Sequence, residues 1–325
     1  MITDQQITWA YRLLLGREPE NEAAVKNLRS VKDINELRSI FLNSAEYRAK
    51  SPVPYLPLDV PPMRIEWQTD ERTAQLLLSR VQKTWNQLGQ ERPHWSVLSS
   101  DEFLPEAMHG QRKSLFFESG AHDLRLLLAT LARLGVLPSQ FPRVFEFGCG
   151  LARVTLHLAA HFAQVSACDV SPSHLRQAET ILAARPAGNV RLELATVPDF
   201  GMIEPFNLWF SRIVLQHNSP PLIAMILRRA LELLEPGGMA IFQVPTYGYG
   251  YRFHLADYLR KPSGADPFEM HVLPQLAVFE IAHDHDCVVQ EVREDNSAGS
   301  SDWISNWIVL RKTKSKDTGR KGPPP

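Results

Sequence analysis

Val144-Phe-Glu146-Phe-Gly148-Cys149-Gly150-Leu-Ala152-Arg153 joins a short apolar run to two closely spaced glycines. A short apolar run, Val144–Phe147, predicts a buried strand that delivers two glycines to its carboxyl end. Glycine accepts φ > 0 and has no Cβ, so backbone can approach a ligand closely. Ligands of open α/β sheets sit at the carboxyl ends of the strands, where strand order reverses. Two glycines do not by themselves choose a ligand, because dinucleotide sites place G-x-G-x-x-G at the same point. Here the third glycine position holds Arg153, too long for the close helix–strand packing that glycine permits. Glu146 stands just before the loop, where it would repel a pyrophosphate. Together they favour a cofactor that carries positive charge.

Outward from this loop the pattern alternates. Strand-like runs are predicted at Val144–Phe147, Val165–Cys168, Val190–Leu194, Leu208–Phe210 and Met239–Val244, separated by helical stretches at Arg153–Phe162, Ser173–Ala184 and Pro221–Leu234. Such alternation predicts a parallel sheet wrapped by helices. After a helix at Pro274–His283, strands at Cys287–Arg293 and Trp303–Arg311 are joined by a short polar loop, which requires antiparallel pairing. The expected fold class is α/β: a seven-stranded, mostly parallel, Rossmann-like sheet with a C-terminal antiparallel hairpin. A small N-terminal all-α domain is expected beside it.

From about Phe116 to Lys312 these features resemble class I S-adenosylmethionine-dependent methyltransferases. The resemblance implies S-adenosylmethionine as cofactor, held by Glu146, Gly148, Cys149, Gly150 and Arg153. Asp169, 19 residues after Gly150, would accept hydrogen bonds from the ribose hydroxyls, with Val170 and Ser171 beside it. An alternative for Asp169 is to cap the helix that follows. The segment Ser211-Arg-Ile-Val-Leu-Gln216-His217 is similar to the family's S-x-x-V-L-x-H stretch, which implies that Ser211 and Gln216 pass beside the methionine part. Phe116-Phe117-Glu-Ser-Gly120 resembles the lead-in that closes over the cofactor, with a plain helix-capping loop as the alternative, and Val197-Pro-Asp-Phe200 lies where adenine packs in the family. Glu235-Pro-Gly-Gly238 resembles the family's turn before the fifth strand. Asn207 departs from the pattern, since many members carry Asp there.

His217 is the best candidate general base, as it emerges at the sheet's carboxyl edge with an ordinary pKa near 6.5. Its alternative role is to cap the helix begun by Asn218-Ser-Pro220. The insert Gln243-Val-Pro-Thr-Tyr247-Gly-Tyr249-Gly-Tyr251-Arg-Phe-His254, leading to Glu269-Met-His271, is expected to recognise the acceptor, or else to form a buried lid. His254 and His271 are secondary base candidates. His283-Asp-His-Asp286 is read as a solvated helix end, and no metal is expected.

Residues 1–50 are read as a small helical module: a capping box Thr3-x-x-Gln6, then Ile7, Tyr11, Leu14 and Leu15 at helical spacing, a second helix over Asn21–Arg29, and a third from Asp33 with Ile34, Leu37, Ile40 and Phe41 on one face. Tyr11-Arg-Leu-Leu-Leu-Gly-Arg-Glu-Pro19 and Phe41-Leu-Asn-Ser-Ala-Glu-Tyr47 resemble a short domain of uncharacterised function. That domain is related to the phycobilisome-linker repeat and found beside bacterial glycan-modifying enzymes. The resemblance implies protein docking, with a passive appendage as the alternative. A proline-rich linker spans 51–69, a helical lead-in 70–141 (one helix Asp70–Leu88 with Leu76, Leu77, Val81 and Trp85 inward, another His122–Leu134), the methyltransferase domain 142–312, and a basic disordered tail 313–325. A net charge of −1 selects neither nucleic acid nor membrane as partner. Three separated cysteines give no disulfide framework, and neither a signal segment nor a membrane-spanning run is found, so the expected location is the cytoplasm. The expected function is O-methylation of a saccharide-related or other small-molecule hydroxyl. The alternatives are an N-methyltransferase of small molecules and a catalytically silent S-adenosylmethionine-binding protein.

Overall fold

The computed structural model describes residues 2–50, 59–185, 187–262, 268–295 and 302–313. The first eight residues of the expected linker, the polar loop between the last two strands and nearly all of the basic tail lie outside these. The chain divides into two compact units, Met1–Asp59 and Val60–Pro325.

The first unit holds α1 (Asp4–Ala10), α2 (Glu22–Asn27), α3 (Ile34–Leu42) and α4 (Ala45–Lys50). Its capping box is formed: Gln6 N donates to Thr3 Oγ1 and Thr3 N to Gln6 Oε1. A π-type turn, Tyr11–Leu15, continues α1 and closes at Gly16 in the left-handed conformation. Ile7, Tyr11, Leu15, Leu37 and Phe41 are buried together, with Tyr11 and Phe41 edge to face at 4.8 Å. Ile34 and Ile40 do not share that face; both are exposed. Leu37 and Phe41, one turn apart, already fill the narrow side of so short a helix.

The second unit is built on a sheet of strands β2 (Arg143–Phe147), β3 (Gln164–Asp169), β4 (Val190–Leu194), β5 (Phe206–Ser211), β6 (Leu234–Gly248), β8 (Cys287–Asp295) and β9 (Trp303–Lys312). Their order is β4-β3-β2-β5-β6-β9-β8, parallel except for β9, which runs antiparallel to both of its neighbours. The helices are α5 (Glu71–Glu91), α6 (Pro93–Val97), α7 (Gln111–Glu118), α8 (Gly120–Arg133), α9 (Thr155–Ala159), α10 (Pro172–Ala183), α11 (Pro220–Leu233), α12 (Leu255–Arg260) and α13 (Gln275–Asp284). A two-residue pair joins β1 (Arg64–Ile65) to β7 (Arg252–Phe253); no apolar run in the sequence announces it.

Side chains alternate between faces along a strand, so one strand feeds two cores. On β2, Phe145 and Phe147 join Trp209, Phe242 and residues of α5, α11 and α13, whereas Val144 joins Leu208, Ile241 and residues of α8. Helix α5 inserts Leu77, Leu78, Val81 and Leu88, while Leu76 is 54% exposed. The expectation for Leu76 therefore fails. Position 78 lies one turn before Val81 and occupies the inward face, and Leu76 lies off that face. β6 is much longer than expected because its partner β9 keeps it paired to Gly248, and it already starts at Leu234. The Glu235-Pro-Gly-Gly turn is thereby absorbed into an irregular strand start.

β2 pairs with β3 on one side and with β5 on the other, so the chain reverses direction across the sheet at the carboxyl end of β2. That is where α/β sheets open a crevice.

Candidate functional site

The glycine loop closes β2. Gly148 and Gly150 have φ of 82° and 52°, and the amides of Gly148 and Cys149 both donate to the Cys168 carbonyl at 2.9 Å, tying the loop to β3. A Cβ on Gly148 would meet Val214 at 2.4 Å, and one on Gly150 would meet Val97 at 2.9 Å. Backbone strain and lack of space thus both require glycine. Burial lifts the Cys149 thiol well above its usual range and keeps it protonated.

Glu146 is buried behind the loop, where its Oε2 accepts from Thr155 Oγ1 at 2.6 Å. Burial pushes its pKa up to about 7; the Thr155 bond and the Arg153 charge oppose that shift, and Asp123 and Asp169 add to it. At the end of β3, Asp169 accepts from Gly150 N at 2.9 Å and from Ser171 N at 2.8 Å. Each carboxylate oxygen keeps a lone pair for one more donor. Ser171, rather than Asp169, caps α10, accepting from His174 N.

An ionic knot adjoins the loop. Asp123 of α8 is buried; it accepts from Arg153 Nη2 at 2.5 Å and pairs through its other oxygen with Arg212, just past β5. Gly120 lets α8 approach this place, since a Cβ there would lie 2.1 Å from the Arg153 carbonyl.

A cavity of about 520 Å³ lies over these groups and is lined by Asp123, Glu146, Gly148, Cys149, Gly150, Arg153, Asp169 and Val170. Gln216 and His217 line it as well, as do Trp85, Trp95, Phe268 and Met270. His217 Nδ1 lies 3.2 Å from the Glu269 carbonyl, which can only accept, so Nδ1 carries the hydrogen. In the neutral ring Nε2 is then the basic nitrogen; it lies 3.4 Å from Gln216 Nε2. Gln216 is itself held by Gln243, whose Nε2 donates to Gln216 Oε1 at 3.0 Å.

Glu146, Gly148, Cys149, Gly150, Arg153, Asp169, Val170, Gln216 and His217 are thus brought together. The other expected residues lie outside the lining. Phe117 packs in a small apolar cluster with Phe103, Phe116 and Leu151. Ser211 is buried and donates to the Phe147 carbonyl. Phe200 is buried in the main core. His254 is exposed beside Glu66 and Asp257. His271 is enclosed by Tyr251, whose hydroxyl meets Nδ1 at 2.8 Å, and by Glu269 at 3.5 Å. Of the insert tyrosines, Tyr249 is 59% exposed and Tyr247 bonds the Pro61 carbonyl. The insert's tyrosines therefore stand outside the cavity, while Phe268 and Met270, on the way to His271, line it together with Trp85 of α5 and Trp95 of α6. Asn207 accepts from Arg143 N and donates to Glu235 at the amino end of the sheet, away from the cavity. Sequence reasoning missed Asp123 and Arg212 because their pairing spans 89 residues. Among the described residues no group of three or more His, Cys, Asp or Glu could hold a metal, and no helix is long and apolar enough to cross a membrane.

Residues 144–238 match a family model described as a methyltransferase domain. The chain is 30% identical over 146 residues to a trans-aconitate 2-methyltransferase of Streptomyces avermitilis, covering 44% of this chain and 53% of that protein. With the namesake of Streptomyces coelicolor it is 31% identical over 138 residues, covering 40% and 43%. The chain thus spans about half the length of the curated relatives it matches. Its fold is similar to that of the magnesium protoporphyrin IX methyltransferase of Synechocystis solved with bound S-adenosylhomocysteine. The TM-score is 0.50 at 15% identity, covering 73% of this chain and 99% of the other. The stretch from β2 to the start of β6 carries a methyltransferase domain.

Proposed function

We propose that this chain transfers a methyl group from S-adenosylmethionine to the hydroxyl of a small molecule. The observation that carries the reading is the set of groups facing the cavity. These are a glycine cradle that any Cβ would fill, a carboxylate with open lone pairs at Asp169, and a buried carboxyl at Glu146 suited to a cationic ligand. Gly148, Gly150 and Asp169 would hold the donor's backbone-facing edge and ribose, with Glu146 answering its positive charge. When bound, the donor supplies a methyl carbon on a sulfonium, activated without help from the protein.

The protein's remaining tasks are alignment and proton removal. His217 Nε2 would take the proton from the acceptor hydroxyl as that oxygen becomes the nucleophile. The Glu269 carbonyl holds the ring in the tautomer that this requires. The narrower expectation of a saccharide-related hydroxyl rests on the resemblance of residues 1–50 alone, whose docking role is likewise a proposal, and the cavity lining weighs against it.

A second reading, transfer to an amine nitrogen, is favoured by the aromatic rings in the cavity, which suit a cation. Incubation with methyl-labelled donor and a panel of phenols, sugars and amines separates the two. Label on hydroxyl oxygen is expected; label confined to amines would overturn the oxygen reading, and no label on any acceptor would leave a silent binding protein.

A further inference from the structure

We propose that the acceptor part of the cavity takes a planar, apolar ring with a single hydroxyl, a phenol-like molecule rather than a polyol or a polyanion. The inference rests on the methyl-transfer reading above and names its substrate class. Trp85, Trp95, Phe268 and the imidazole of His217 form one connected cluster. Trp85 meets His217 at 5.3 Å and Phe268 at 5.9 Å, and Trp95 meets Phe268 at 5.0 Å, with interplanar angles of 61°, 86° and 75°. All four line the cavity, and Met270 and Ile213 extend the apolar wall. The candidate base is thus a member of the ring wall, so a substrate hydroxyl that reaches Nε2 belongs to a molecule lying against these rings. Offset and edge-to-face contacts make such a wall complementary to a flat ring.

Among the described residues, three polar side chains beside the cluster already have partners. Gln216 is held by Gln243, Asn218 Nδ2 donates to the Val214 carbonyl, and the Arg212 guanidinium pairs with Asp123. A sugar would bury several hydroxyls there with few groups to bond them, which buried polar atoms do not tolerate. A tricarboxylate would bring three charges, whereas Arg153 and Arg212 share Asp123 and leave one positive charge between them. A cationic amine lacks a counter-charge: the carboxylates that line the cavity, Asp123, Glu146 and Asp169, gather at the glycine loop, and among the described residues none belongs to the ring cluster. One hydroxyl on an apolar ring matches one basic nitrogen in an apolar wall.

The full chain, saturated with S-adenosylhomocysteine, is titrated calorimetrically with 2-naphthol, methyl glucoside, trans-aconitate and choline. 2-Naphthol is expected to bind at least about tenfold more tightly than the other three. Trp95→Ala should weaken it about tenfold and Trp95→Phe restore it to within about threefold, with S-adenosylhomocysteine affinity within about threefold of the parent in both. If Trp95→Ala does not fold, Phe268→Leu serves in its place. Equal or tighter binding of the glucoside, trans-aconitate or choline overturns the inference. So does a loss of S-adenosylhomocysteine affinity matching that of 2-naphthol, which would assign the rings to the donor. Failure of S-adenosylhomocysteine to bind the parent overturns the methyl-transfer reading instead, and the naphthol preference is then measured without it.

Discussion

The two ends of the cavity are built on opposite principles. At the glycine loop, charge is dense and buried: Asp123 holds two arginines, Glu146 has its pKa lifted to about 7, and Asp169 fastens two backbone amides. At the other end the wall is carbon, four rings in edge-to-face contact, with a single imidazole as its chemical handle. Fixed charge in a low-dielectric setting recognises one cofactor through its own charges and hydroxyls, whereas an apolar wall selects shape and tolerates variation. Under the proposed function this difference fits a fixed donor at the loop and a variable acceptor at the rings.

Substitutions at each end should therefore separate cleanly. The largest effect is expected at the imidazole: His217→Ala should lower kcat by about 10²–10⁴ and leave donor affinity within about threefold. Steady-state kinetics beside a donor titration checks this, and an unchanged kcat would remove His217 as the base. Next is Asp169→Ala, which strips the ribose partner and leaves the Gly150 and Ser171 amides without theirs. Donor affinity should fall about a hundredfold, read by calorimetry. An equal fall in acceptor binding measured without donor would erase the division between the two ends.

The smallest effect on ligand affinity belongs to Glu146. Its carboxyl is pushed up to about 7 by burial, with Arg153 opposing and Asp123 and Asp169 reinforcing. A group whose folded pKa is raised lends stability that is complete below its unfolded value, near 4.5, and is lost as pH rises through about 7. The ligand-free protein should accordingly lose up to about 3 kcal/mol between those limits, and Glu146→Gln should flatten the profile in chemical denaturation. A cationic ligand favours the ionised carboxylate, so donor affinity should rise severalfold from pH 6 to 8 in the parent and not in Glu146→Gln.

The two ends also differ in how far sequence revealed them. The loop is local: strand, glycines and Glu146 sit within ten residues, and Asp169 ends the next strand, so alternation and side-chain size suffice to find it. The strands were legible as apolar runs, but the ends of β6 were not, because its length depends on pairing with β9, about sixty residues later. The rings were invisible as a set. Trp85 reads as one more apolar residue of α5, and Trp95 and Phe268 have no pattern around them; only tertiary approach makes them a wall. The tyrosine-rich insert carried a stronger aromatic signal and drew the reading away, although its hydroxyls serve local contacts with Pro61 and His271. Asp123 failed for the same reason, its meaning supplied by arginines 30 and 89 residues away.

The central claim is that the loop end binds a cationic sulfonium donor, and calorimetric titration of the intact protein tests it most directly. S-Adenosylmethionine should bind at one site per chain, be displaced by S-adenosylhomocysteine, and release protons near pH 7 as Glu146 ionises, whereas reduced nicotinamide dinucleotide should give no heat. Binding of the dinucleotide in place of S-adenosylmethionine, or of neither, would contradict the account.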